Sequence, residues 1–233
     1  MFRKLISIIL LIFLSSGFVR ADFESAKAAY EAGDYDTVLE LITPLAEAGD
    51  AEAQFNLGVL YKSGLGVQQD YDEALKWYRK AAEQGYAIAQ TNLGFMYDQG
   101  FGLPQNYTKA VMWFRKAAAQ GDAEAQHNLG FMYHQGVGLP QNYTKAVMWY
   151  RKAAAQGFAG AQHNLGLMYG AGLGVKQNNI QAYVWLGFAG AGGIESAWNK
   201  RAAIESDLNP AQLKEALKLA RELREKLGFK TNQ

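Results

Sequence analysis

The sequence predicts an all-α solenoid of helix–turn–helix repeats, and three observations carry the prediction. First, a 36-residue period runs through the middle of the chain. Gly58, Gly94, Gly130 and Gly166 stand one step apart, as do Trp77, Trp113, Trp149 and Trp185, and Asn56, Asn92, Asn128 and Asn164. Self-similarity at such a period marks a stack of supersecondary units, each too small to bury its own apolar face. Second, two stretches of helical apolar spacing alternate with glycine-marked turns inside each period. Third, 49% of the 233 residues are hydrophobic and 13% aromatic, enough to fill a continuous interior.

Residues 1–21 read as a cleavable export signal. Arg3 and Lys4 form a short basic start, Leu5 to Val19 is an uncharged apolar run, and Val19-Arg20-Ala21 ends in small residues. A run of about 15 residues is shorter than the roughly 20 needed to span a bilayer. Cleavage after Ala21 places the mature protein in the periplasm or outside the cell. An uncleaved N-terminal anchor is the other reading of the same run. No cysteine follows it, so a lipobox is excluded.

Residues 22–228 form one repeat solenoid. Segment 22–50 is an N-terminal capping pair, Phe23–Ala32 and Tyr35–Ala48, joined at Gly33-Asp34. Repeats follow at 51–86, 87–122, 123–158 and 159–193. In the first, Ala53, Leu57, Leu60 and Tyr61 recur on one helical face. Gly64 and Gly66 stop that helix, because glycine adopts positive φ at no steric cost. Asp70 caps a second helix whose buried stripe is Ala74, Trp77, Tyr78 and Ala81, and Gly85 ends it. Gly100/Gly102, Gly136/Gly138 and Gly172/Gly174 hold the same turn later, and Asn106, Asn142 and Asn178 take the cap. Residues 194–228 are C-terminal capping helices. Ile194–Ser206 is the first. Asn209-Pro210 starts the second, with an apolar stripe of Leu213, Ala216, Leu217, Ala220 and Leu223. Its other face carries Lys214, Lys218, Arg221, Glu222, Arg224 and Glu225, and reads as the solvated end that a solenoid requires. Residues 229–233 are a tail.

Charge and cysteine content exclude several functions. The net charge is +1; without Arg3, Lys4 and Arg20 the balance is 20 basic to 22 acidic residues, a net −2. That gives no electrostatic case for nucleic acid or an anionic membrane as partner. With no cysteine there is no disulfide, thiolate zinc site or cysteine nucleophile.

The unit Ala-x-Ala-Gln-x-Asn-Leu-Gly-x-x-Tyr-x-x-Gly-x-Gly, then Ala-x-x-Trp-x-x-Lys-Ala-Ala-x-x-Gly, resembles the Sel1-like repeat. It stands at Ala51–Gly66 with Ala74–Gly85, at Ala87–Gly102 with Ala110–Gly121, and at Ala123–Gly138 with Ala146–Gly157. The fourth copy, Ala159–Gly174 with Ala182–Gly193, departs from it: Phe188 replaces the lysine, Gly190 the second alanine, and Asn179 the tyrosine. The resemblance implies a right-handed α/α superhelix related to tetratricopeptide arrays, and a scaffolding role rather than chemistry. It looks like the secreted bacterial type, in which a helical tail follows the last repeat.

Within that frame, the tryptophans with their neighbouring alanines read as packing between helices. The rows Gln54, Gln90, Gln126, Gln162 and Asn56, Asn92, Asn128, Asn164 stay open between two roles. An amide can satisfy a neighbouring helix end, or it can grip the main chain of an extended peptide with a donor and an acceptor together. Repeats two and three differ at only 4 of 32 positions, Thr91/His127, Asp98/His134, Phe101/Val137 and Phe114/Tyr150. Positions 55, 59 and 62 share one helical face, and their occupants change from repeat to repeat (Phe55, Val59, Lys62; Thr91, Phe95, Asp98; His127, Phe131, His134; His163, Leu167, Gly170), so they are expected to face solvent or a ligand. Phe95 and Phe131 among them are expected to be exposed apolar surface, which marks interaction sites. His127, His134 and His163 are expected at the same surface. His127 and His134 are seven residues apart, about 10.5 Å along a helix, too far to share one ion. No metal or cofactor is expected.

No His-Glu-x-x-His, Gly-x-Ser-x-Gly or Walker pattern is present, so the chain is not expected to be an enzyme, and a hydrolase is the least favoured reading. The expected function is an exported scaffold binding a protein or extended peptide on the concave face. The alternative is a module for cell-wall glycan (peptidoglycan), since aromatics and amides also suit sugars. No nucleic acid and no stable membrane insertion after signal cleavage are expected.

Overall fold

The computed structural model describes residues 22–228. The export signal at 1–21 and the tail at 229–233 lie outside the described residues. Among the described residues there are twelve helices and no strand. Helix α1 covers 22–32. It is followed by α2 (Tyr35–Glu47), α3 (Ala51–Ser63), α4 (Tyr71–Glu83), α5 (Ala87–Gln99) and α6 (Tyr107–Ala119). Then come α7 (Ala123–Gln135), α8 (Tyr143–Ala155), α9 (Ala159–Ala171), α10 (Asn179–Ala191), α11 (Glu195–Ser206) and α12 (Pro210–Leu227). They form two compact units, one ending at Gln105 and one beginning at Asn106.

Local chemistry sets the helix ends. Asp50, Asp70, Asp122, Asn106, Asn142 and Asn178 each accept a hydrogen bond from a backbone N–H in the first turn that follows, which satisfies a donor the helix leaves free. Asn209 forms a full capping box with Gln212 and Pro210 stands at the first helical position. The inner turn uses two left-handed glycines. In the N-terminal unit Gly64 closes α3, and Gly66 lies against Tyr35 of α2, where a Cβ would fall 2.9 Å from that tyrosine's Cβ. Gly138 repeats the contact on Tyr107 in the C-terminal unit. Each turn is therefore seated on the first turn of the preceding second helix.

Glycines inside three of the first helices permit close helix crossing. A Cβ on Gly58 would lie 2.8 Å from the Tyr78 ring, one on Gly130 2.8 Å from Tyr150, and one on Gly166 2.8 Å from Leu186. These partners are buried, as are Ala81, Ala82, Ala153 and Ala154 beside them. Trp77, Trp113 and Trp185 are buried too. The lysine three residues on covers the indole in three repeats: Lys80 Nζ is 4.0 Å from the Trp77 ring, Lys116 Nζ 4.2 Å from Trp113 and Lys152 Nζ 4.4 Å from Trp149. In the fourth repeat Phe188 meets Trp185 edge-on at 5.7 Å instead.

The glutamine row is structural. Gln54 Nε2 donates to Ala46 O at 3.0 Å and Gln90 Nε2 to Ala82 O at 3.0 Å in the N-terminal unit. Gln126 donates to Ala118 O and Gln162 to Ala154 O, both at 3.2 Å, in the C-terminal unit. Each amide thus crosses the turn to the end of the helix before it. Gln84 and Gln156 complete the tie: each donates to the glutamine 30 residues back and to the carbonyl of Gly49 or Gly121.

At the C-terminal end α10 packs against α9, α11 and α12, which accounts for its nearly unbroken apolar sequence. The expected α12 stripe is only partly covered. Ala216 is buried but Leu217 is 46% exposed.

Substituting Gly58→Ala is expected to lower stability by about 1–3 kcal/mol through overpacking, although alanine is the better helix former. Denaturant unfolding checks the sign; an increase in midpoint would refute the close crossing.

Candidate interaction surface

The candidate residues lie on the first helices of the repeats, and the structure divides them by what each already touches. In the N-terminal unit, α1, α2 and α3 enclose a cavity of about 510 Å³. Its wall is mainly apolar, from Tyr30, Val38, Ile42, Phe55, Val59 and Leu60, with Glu24, Lys27 and Glu52 also lining it. Asn56 lines this cavity, and its amide makes no hydrogen bond with any described residue. Asn92 uses its Nδ2 on Ile88 O of its own helix at 3.0 Å.

Phe95 and Phe131 part company. Phe131 is 45% exposed. Phe95 is half-buried, with Phe101 at 6.0 Å and the Lys62 ammonium 5.3 Å above its ring. Two neighbours of Phe95 change one period on: Phe101, itself stacked on Tyr71 at 5.1 Å, becomes the shorter Val137, and Lys62 becomes Asp98.

In the C-terminal unit the histidine and asparagine rows join. His127 Nε2 is 3.1 Å from Asn164 Nδ2, and its Nδ1 is 3.3 Å from Asn128 Oδ1. An amide nitrogen only donates, so Nε2 accepts and the neutral ring carries its proton on Nδ1. His127 therefore bridges α7 and α9. Burial holds its pKa below the ordinary histidine value, against the opposing hydrogen bond that Nδ1 donates to Asn128. The ring lies 5.0 Å from Phe158 and 5.7 Å from Tyr150. His134 meets Tyr143 and Tyr150 edge-on, and burial lowers its pKa as well. His163 is half-buried, and its Nε2 is enclosed without a hydrogen-bond partner.

The expectation that changed positions face outward fails at the first of them. Thr91 is 2% exposed and bonds Ala87 O, and His127 is a packing residue. Sequence spacing cannot show that this helical position meets the next first helix. The Tyr78 and Tyr150 hydroxyls are fully buried, and burial raises the pKa of both. Among the described residues no group of three His, Cys, Asp or Glu could hold a metal ion, and no helix is long and apolar enough to cross a membrane.

Helix hairpins of fixed length, tied by glutamine and crossed at glycine, define an all-α solenoid of repeats. The Sel1 repeat model matches residues 51–86, 87–122, 123–158 and 159–194, and the chain belongs to the Sel1 repeat family. It is similar to a Sel1 repeat protein from Oxalobacter formigenes, with 32% identity over 86% of this chain and 82% of that one and a TM-score of 0.74. It is also similar to c5321, a protective antigen of uropathogenic Escherichia coli strains displaying an SLR fold, with 31% identity and a TM-score of 0.59. That match covers 94% of this chain and 58% of c5321. Immunity protein Pa5087 from Pseudomonas aeruginosa shares the fold at 21% identity, over 85% of this chain and 82% of that one, with a TM-score of 0.53. No curated protein sequence matches the chain. Sel1 repeat proteins are in general non-catalytic protein-interaction scaffolds.

The His127 bridge generates a pH prediction. Its folded-state pKa lies below the unfolded value of about 6.5, so the unfolded chain takes up the proton first. The stability that the neutral ring contributes is present above about pH 6.5 and is lost as pH falls toward the folded pKa. His127→Thr, the residue of repeat two, is expected to cost about 1 kcal/mol at pH 7.5. Denaturant melts at pH 7.5 and 5 should show the gap to wild type narrowing on acidification; a gap independent of pH would refute the bridge.

Proposed function

We propose that the chain is an exported protein-interaction scaffold that takes an extended peptide of a partner protein on its first-helix face, the concave side of the solenoid. One observation carries the reading: the cavity of about 510 Å³ beside α3 joins an apolar wall to the unpaired amide of Asn56. An apolar side chain of the partner fills the wall, and Asn56 holds its main chain through both donor and acceptor. In the C-terminal unit Phe131 supplies exposed apolar area on the helix that carries Asn128 and His134, with Asn164 and His163 on the first helix of the next repeat and His127 setting the positions of the two asparagines. Asn92 and Phe95 play the lesser part in the N-terminal unit, since each is already engaged. Residues 1–21 direct export and are removed after Ala21.

Pull-downs test the reading. Asn56→Ala and Phe131→Ala, separately and together, are expected to reduce partner recovery about tenfold in the double variant, with an unchanged circular dichroism spectrum. Full recovery by the folded double variant would refute the face. Binding to purified peptidoglycan that the same changes abolish would move the ligand class to glycan. For export, the N-terminal residue of the mature protein is expected to be Asp22.

A further inference from the structure

We propose that α10, α11 and α12 form a second, arginine-rimmed pocket that takes an acidic peptide segment anchored by apolar side chains. It lies wholly in the C-terminal unit and uses none of the first-helix residues.

The pocket arises where α10 leaves the repeat frame. One period after Arg151 and Lys152 stand Gly187 and Phe188, and one period after Ala154 stands Gly190. The cationic outer face of a second helix is thereby replaced by small and aromatic residues. The glycines seat two side chains of α11. Trp198 packs so closely on Gly190 that a Cβ there would collide with its ring. Arg201 lies over Gly187, where a Cβ would come 3.4 Å from its Nε. A cavity of about 470 Å³ remains, floored by Val184 and Phe188 and walled by Trp198, Arg201, Leu217 and Arg224.

Arg201, Arg221 and Arg224 all line it. Arg201 donates through Nη2 to the Tyr183 hydroxyl, and its guanidinium lies 4.1 Å from the Tyr183 ring and 5.3 Å from Trp198. Its Nε is buried with no acceptor. Arg224 stands 6.0 Å above Phe188. The expected solvated end of the array therefore turns two of its arginines toward α10. Among the described residues no carboxylate lies within ion-pairing distance of these three arginines. No acid lines the pocket, and Glu205 acts on Tyr183 from outside the lining.

The composition selects the occupant. Guanidinium groups recognise carboxylates through paired hydrogen bonds, and a donor already removed from water gains most from an acceptor. Trp198 and Leu217 are 42% and 46% exposed, an apolar area that phosphate or nucleic acid would leave unfilled. Tryptophan and arginine together are the residues that dominate protein interfaces. An acidic segment carrying leucine or phenylalanine answers both halves of the site.

Fluorescence anisotropy with the purified protein and a labelled ten-residue peptide of alternating Glu and Leu or Phe tests this. Two control peptides replace Glu by Lys, or the apolar residues by Ser. The acidic apolar peptide is expected to bind about tenfold tighter than either control, and Arg221→Glu with Arg224→Glu to weaken it about tenfold or more. Leu217→Ser, at an exposed position, is expected to weaken it several-fold, and Asn56→Ala to leave it unchanged. Equal binding of the Glu–Ser peptide, or undiminished binding by the arginine double variant, would overturn the proposal. So would loss of binding in Asn56→Ala, which would seat the peptide in the first-helix cavity.

Discussion

The fold rests on a buried amide. Among the described residues the buried polar side chains, apart from Thr91, are Gln54, Gln90, Gln126 and Gln162, and each reaches a carbonyl at the end of the preceding helix. A buried amide without a partner costs about 1–3 kcal/mol. The same register is therefore imposed four times over, because a shift of one residue would orphan both the amide and the carbonyl. The helical glycines depend on that register: only when the glutamine is home do Gly58, Gly130 and Gly166 face the ring or leucine they admit. Apolar packing alone tolerates sliding; the hydrogen bond does not.

A frame held this way leaves other positions available for binding. The first helices need their glutamine, leucine and glycine for packing, and the asparagine beside them serves different ends at each step. Asn92 is spent on its own helix, Asn128 and Asn164 are locked to His127, and Asn56 faces a cavity. One row of identical residues thus grades from available at Asn56 to engaged at Asn128 and Asn164. The second helices change role as well. Where α10 loses its cations, α11 and α12 bring arginines to an apolar floor, so the end of the array differs chemically from its middle.

The repeats, their helix boundaries and their caps were legible in the sequence because each has a local cause: period, glycine and Asp or Asn at fixed offsets. The glutamine role was not, since spacing alone does not say that a side chain eight residues on crosses a turn. Phe95 and Phe131 looked equivalent by register, but their neighbours differ: Phe101 against Val137, and Lys62 against Asp98. Thr91 and His127 looked variable and therefore outward, yet both are packed, because hydroxyl and imidazole can each find an acceptor or donor in that crevice. The alternating face of α12 predicted a helix correctly and its partners incompletely: periodicity shows which side is apolar, and not how much of it a neighbour covers.

The tie formed by Gln84 and Gln156 has no counterpart at Gly192, where a Cβ would come 2.7 Å from that of Ala159. The third repeat is nearly a copy of the second, so another copy inserted at that seam would arrive with its own latch, its own crossing glycine and its own cap. The fourth repeat offers no such latch, and its outer side is packed against α11 and α12. The closing segment therefore ends the run of latches that the middle repeats share.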